Sequence, residues 1–143
     1  MDQSAPLVIR ADLDEIPRVT AVLDQVMQVG GSPRDAIQDL QLAVEEAVAN
    51  TIIHGYRRGD GTITITIHAT DRAVEVQIED RARPFNPLSL PDPDRESGLT
   101  ERRIGGLGIY LIRQVVDDVT YQFSAGKNVL TLIKRKPDDR EEK

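Results

Sequence analysis

Residues 33–56 read PRDAIQDLQLAVEEAVANTIIHGY, and the spacing of apolar residues in this stretch decides the fold. Ile37, Leu40, Val44, Ala47, Val48 and Ile52 recur three and four positions apart. That period predicts a helix from 33 to about 54 with one buried stripe. At about 100° per residue, Glu46 and Asn50 fall together on the opposite face. A carboxylate and an amide four residues apart ordinarily mark a solvated helix face, so their meaning depends on what the rest of the chain brings to them.

Upstream, Gly30 and Gly31 stop a shorter helical pattern from about 15 to 29, whose apolar set is Ile16, Val19, Val22, Leu23, Val26 and Met27. Asp14 reads as its cap and Pro17 as a first-turn proline. Between the helices, Ser32 reads as an N-cap, Pro33 as the first helical residue and Asp35 as the acidic residue three positions after the cap. Residues 6–11 (PLVIRA) read as a first strand. Downstream, Gly55 suits the end of the central helix. TITITIHAT at 62–70 then alternates strictly, with Ile63, Ile65 and Ile67 on one face. A turn at Asp71 and Arg72 leads to AVEVQIED, whose Val74, Val76 and Ile78 alternate likewise, so the two runs form a hairpin. Residues 81–104 lack any period and carry four prolines between 84 and 93. A segment that long is no plain connector, and it reads as a lid over a ligand. Gly105, Gly106 and Gly108 open a helix to about Asp118, and VTYQFSA with KNVLTLIKR closes the chain as a hairpin around Gly126.

This order predicts an α+β sandwich with helices on one face of a mixed, largely antiparallel sheet. The length of 143 residues suits a single domain, 1–143, with its core at about 7–136 and a solvated tail at 137–143. Apolar residues are 39% and charged residues 29%, a globular balance rather than a disordered one. No apolar run reaches the roughly 20 residues of a membrane span, and MDQSAPLVIR lacks the basic and apolar regions of a signal peptide. A cytoplasmic protein is the expectation. The absence of cysteine excludes disulfides, thiolate metal sites and thiol catalysis, and two histidines make a structural zinc site a poor fit. A net charge of −6 argues against a direct nucleic-acid partner, leaving proteins and small ligands.

Two stretches give the Glu46 and Asn50 face its context: VEVQIEDRARPFNP at 74–87 and RIGGLGIYLIRQVVDD at 103–118. The turn formed by Gly105, Gly106, Leu107 and Gly108 can bring peptide N–H groups close to phosphate oxygens, and the helix beginning there adds its positive end. A glycine-rich turn is often only a tight turn, and this one is neither a Walker sequence nor GxGxxG. Arg102 and Arg103 can balance phosphate charge. Asn50 offers a neutral carbonyl oxygen of the kind Mg²⁺ takes when few of its ligands come from protein.

Taken together, EEAVANTIIHGY, PFNP and GGLGIYLI resemble the RsbW and SpoIIAB branch of the GHKL ATPase superfamily, anti-sigma factors that are also serine-protein kinases. The resemblance covers about residues 7–136 and implies the Bergerat fold. It implies Asn50 as ligand to Mg²⁺ and Glu46 as the catalytic carboxylate that accepts a serine or threonine proton during attack on the γ-phosphate of ATP. It implies Asp80 as acceptor for the adenine amino group, with Thr131 in support, although Thr131 is equally the β-former its strand needs. Glu45, about 100° around the helix, is the weaker base, and His54 reads as a packed side chain. The sequence departs from the family at Ala82, where glycine is usual two positions after the aspartate, and at Asn86, often aspartate. A Cβ at Ala82 requires a negative φ and a nucleotide that leaves room for a methyl group.

The resemblance implies an ATP-dependent serine/threonine-protein kinase in a partner switch, phosphorylating a STAS-domain anti-sigma-factor antagonist, sequestering a sigma factor, or both. It also implies a homodimer. The rival reading is a nucleotide-binding module that sequesters a partner without phosphorylating it. Glu46 favours the kinase and Ala82 the rival. A detached histidine-kinase ATPase domain fits less well, because no helix carries a phosphoacceptor histidine.

Overall fold

Alternating β-branched residues set the sheet, and the helical stripes then have only one face to cover. The computed structural model describes residues 3–57, 59–89 and 107–136. Its five strands are β1 (Gln3–Arg10), β2 (Thr62–Ala69), β3 (Ala73–Asp80), β4 (Asp118–Ser124) and β5 (Lys127–Arg135). They are ordered β1-β2-β3-β5-β4, with every pairing antiparallel. The expected mixed, largely antiparallel sheet is therefore wholly antiparallel among the described residues. Ile63, Ile65 and Ile67 of β2, Val74, Val76 and Ile78 of β3, and Leu130 and Leu132 of β5 are buried together. The period of two holds on every central strand, so one face joins the core.

Among the described residues three helices cover that face: α1 (Ile16–Val29), α2 (Arg34–Asn50) and α3 (Leu107–Val115). The buried stripe of α1 is Val19, Leu23 and Met27, and α2 buries Ile37, Leu40, Ala43, Val44, Ala47 and Val48. Burying a side chain of this kind contributes about 1.5–3 kcal/mol, which is why the stripe rather than helix propensity holds α2 in place. Lys134 fastens the layers from below, donating to Asp39 Oδ2 on α2 at 3.1 Å and to the Val115 carbonyl at the end of α3 at 2.8 Å. No helix among the described residues is long and apolar enough to cross a membrane.

Local details differ from the sequence expectations at the helix ends. Ser32 is not the cap of α2. The Ser32 and Gly31 N–H groups bond back to the Met27 and Gln28 carbonyls, with Gly31 at φ +80, so this backbone is committed to ending α1 as a Schellman motif. Pro33, extended at φ −70 and ψ 157, stands at the N-cap instead, and Ser32 Oγ is buried without a hydrogen-bond partner. At the front of α1, Asp12 rather than Asp14 caps, its Oδ1 accepting from the Asp14 N–H ahead of a 3-10 turn at Leu13–Glu15. The regular part of α2 ends at Asn50 and continues as a π-turn, Thr51–Gly55, closed by the Tyr56 N–H on the Thr51 carbonyl. Three successive β-branched residues, Thr51, Ile52 and Ile53, crowd an α-helix at this point.

Candidate functional site

The face of α2 away from the stripe is turned against the start of α3. A Cβ built on Gly108 would lie 3.1 Å from Glu46 Oε1 and 3.3 Å from Asn50 Nδ2. Glycine is what lets the helix end approach these two side chains, so the first and third motifs meet in space. Among the described residues, no hydrogen-bond donor engages Glu46, and its carboxylate keeps its acceptor capacity. Burial raises its pKa above the ordinary 4.5, and the neighbouring Glu45 charge raises it further. Arg103, Gly105 and Gly106, with Arg102, lie outside the described residues, as does most of the expected lid; Leu107 opens α3.

Asp80 ends β3 on the core-facing side, only 7% exposed, where a cleft runs between α2 and the sheet. The apolar walls of the cleft include Ala47, Ile78 and Leu130, and Asn50, Asp80 and Asn128 supply its polar groups. Asp80 Oδ1 accepts from Asn128 Nδ2 at 2.8 Å and from the Ala82 N–H at 3.0 Å. Burial raises its pKa, and these two hydrogen bonds partly offset the rise. A wider open notch of about 560 Å³, lined by Arg10, Asp12, Asp14 and Gly61, contains none of the candidate residues. Convergent chemistry, not size, marks the cleft at Asp80 as the candidate site.

Thr131 is not brought there. It pairs with Gln77 of β3 and Thr120 of β4, on the face opposite Leu130 and Leu132. The residue beside Asp80 is Asn128, its cross-strand partner in the register of β3 and β5. A polar residue in an apolar-facing position of β5, in phase with Leu130 and Leu132, was the available sequence signal. Reading it required the register.

His54 packs as expected, its ring 5.5 Å from that of Phe85 between centroids, and its carbonyl accepts from Arg83 Nε. Ala82 meets its backbone condition. Its φ is not positive, and its methyl is directed at Gly55, where an added Cβ would come within 3.2 Å of it. The two positions are complementary. Gly55→Ala is expected to destabilise by about 1–3 kcal/mol through overpacking, and Ala82→Gly in the same chain to restore most of that loss. Urea unfolding of the two single variants and the double variant measures the coupling; simple additivity would contradict the contact.

A glycine at the start of α3, an unengaged carboxylate and amide facing it on α2, and a buried aspartate beside an apolar cleft define a nucleotide-binding α+β domain. Comparison with known proteins agrees. The family model described as histidine kinase-like ATPase domain matches residues 9–134. A serine-protein kinase RsbW of Listeria innocua serovar 6a is 33% identical over 116 residues, covering 76% of this chain and 72% of the relative. One from Staphylococcus aureus strain JH9 is 26% identical over 127 residues, covering 85% and 80%. Among solved structures, the RsbU and RsbW domains of a Mycobacterium tuberculosis protein superpose with a TM-score of 0.63 at 24% identity. That match covers 92% of this chain and 32% of the longer one, and it supports the fold. The chain belongs to the histidine kinase-like ATPase domain family, in its RsbW-type serine-protein kinase branch.

Proposed function

We propose that this kinase domain transfers the γ-phosphoryl group of ATP to a serine or threonine hydroxyl of a STAS-domain anti-sigma-factor antagonist, and that in the alternate state of the switch it holds a sigma factor. The observation that carries the proposal is the approach of Gly108 to Glu46 Oε1 and Asn50 Nδ2, because it brings a carboxylate and an amide beside a helix N-terminus. The residues present fit both the nucleotide and its metal. The N-terminal end of α3 at Gly108 suits phosphate, and the Asn50 amide, without a hydrogen bond among the described residues, suits Mg²⁺. When bound, Mg²⁺ neutralises charge on the phosphate oxygens.

In this scheme Glu46 takes the proton from the attacking hydroxyl, the new bond forms to the γ-phosphorus, and the bond to the β,γ-bridging oxygen breaks to release ADP. The raised pKa makes Glu46 a stronger base than an exposed carboxylate. Asp80 accepts from the adenine amino group. Ala82, the residue that favours the sequestering-module reading, directs its methyl at Gly55. Incubating the protein with labelled ATP and purified STAS-domain antagonists tests the proposal. Label should appear on the antagonist; nucleotide binding with no transfer to any of them would leave only sequestration.

Base recognition is tested separately. Asp80→Asn should weaken ATP by about 1.5–3 kcal/mol, the scale of a hydrogen bond to a charged group. Calorimetry measures it, and an unchanged affinity would remove Asp80 from the adenine contact.

A further inference from the structure

Lys134 is in phase with Leu130 and Leu132 on the core-facing side of β5, and only 20% of its side chain is exposed. An ammonium group held there needs acceptors. It has two, on different helices: Asp39 Oδ2 of α2 at 3.1 Å and the Val115 carbonyl of α3 at 2.8 Å. That carbonyl is among the last four of its helix, which no intrahelical N–H reaches, and a cation is the charge a helix C-terminus favours. Asp39 stands seven positions before Glu46 and eleven before Asn50, two and three turns of helix, so the three share one face of α2. The helix α3 packs on this face, with Gly108 at the end of Glu46 and Asn50 and Val115 at the end of Asp39. The two helices therefore run antiparallel, and Lys134 joins them at the end away from the candidate site.

We propose that Lys134 is a positioning residue for phosphoryl transfer: by tying the Val115 carbonyl to Asp39 it fixes how far along α2 the helix α3 sits, and with it the place of Gly108 against Glu46 and Asn50. This rests on the reading above that phosphate lies at the N-terminus of α3. Gly108 and Val115 are seven residues apart on one short helix, about 10 Å, so a shift at one end is a shift at the other. Ile109 and Ile112, both fully buried, hold α3 in the layer, but apolar burial has no direction and sets the height of a helix less sharply than hydrogen bonds of fixed length. Just past α3, the Asp117 N–H donates to the Ile133 carbonyl at 2.8 Å, which refers the chain to the sheet. Lys134 refers it to α2, the helix that carries Glu46 and Asn50. Phosphoryl transfer depends mainly on position, and an error of about 1 Å can cost about 100-fold.

Lys134→Met keeps the unbranched stem and removes both hydrogen bonds. In single-turnover assays of the full chain with saturating Mg·ATP and a STAS-domain antagonist, its transfer rate should fall about 10–100-fold. Affinity for Mg·ATP, to which the helix end contributes only a part, should weaken by no more than about fivefold. A lower melting temperature with unchanged transfer and affinity would show a structural tie and overturn the proposal. Asp39→Ala, at a side chain 41% exposed, leaves Lys134 bound to Val115 alone and should slow transfer by a smaller factor. The double variant should be within about twofold of Lys134→Met, because both changes cut one link, and losses that simply multiply would count against it. If Lys134→Met does not fold, Asp39→Ala decides, and transfer at the parent rate refutes the role. The ligand-free proteins give a reading that needs no substrate: the Gly108 backbone amide and Asn50 side-chain amide resonances should move in Lys134→Met and, less, in Asp39→Ala. Resonances that stay in place overturn the proposal whatever the protein phosphorylates. A parent that transfers nothing to any antagonist instead fails the kinase reading, a result that leaves the resonance test to judge Lys134.

Discussion

Glu46→Gln is expected to slow transfer to the STAS-domain substrate by at least about 100-fold, with ATP affinity held within about threefold. Glutamine keeps the size of the side chain and its place against Gly108, and it loses only the ability to take a proton. A general base commonly supplies about 10²–10⁴-fold, so the effect is large and confined to the chemical step. Single-turnover transfer beside equilibrium binding separates the two; full transfer by the variant removes Glu46 as base, even if the parent proves a competent kinase.

The same substitution has a second signature. Burial holds the Glu46 pKa above 4.5, so the folded state disfavours the charged form. That group's contribution to stability is fully present below the unfolded pKa and is lost as pH rises through the raised folded value. Glu46→Gln is therefore expected to melt above the parent at neutral pH, and the difference to vanish below about pH 4.5, where both side chains are neutral. A pH series of thermal melts shows whether this carboxylate is held at a cost to the fold, as a catalytic group so often is.

Asn50→Ala is the second large effect. Loss of residues merely supporting a metal ligand costs about 10–100-fold in affinity, and loss of the ligand itself should cost at least the upper figure, about 100-fold, for Mg·ATP. Binding of ATP measured in excess EDTA should change by less than about threefold, since Asn50 then has no ion to hold. Stability should hardly move, because the Asn50 amide makes no hydrogen bond among the described residues and belongs to no buried cluster. Calorimetry with and without Mg²⁺ reads the difference, and a variant that keeps the parent's Mg²⁺ dependence places the ion on other ligands.

Much of the molecule follows from local pattern. The period of two in TITITIHAT and AVEVQIED, and the three-and-four spacing of Ile37, Leu40, Val44, Ala47, Val48 and Ile52, are properties of neighbouring residues, and they were enough for strands, helices, buried faces and the α+β class. Glu46 and Asn50 were legible for the same reason, since one helical turn puts them on one face. Short-range signals failed where a residue had two claims on it. Ser32 carries the chemistry of an N-cap, yet its N–H is already spent on closing α1, and only the three-dimensional course of the chain at Gly31 decides between the two. Ala82 and Gly55 are 27 positions apart, and the space for the methyl exists only because the π-turn brings Gly55 beneath it.

The neighbour of Asp80 shows the limit most clearly. Thr131 and Asn128 both lie on β5, three residues apart, and therefore on opposite faces of the sheet. From the sequence, the family resemblance implied support for Asp80 from a polar residue of the last strand, Thr131. The β3–β5 register, set by long-range hydrogen bonds and the burial of Ile78 against Leu130 and Val76 against Leu132, decided which one it is.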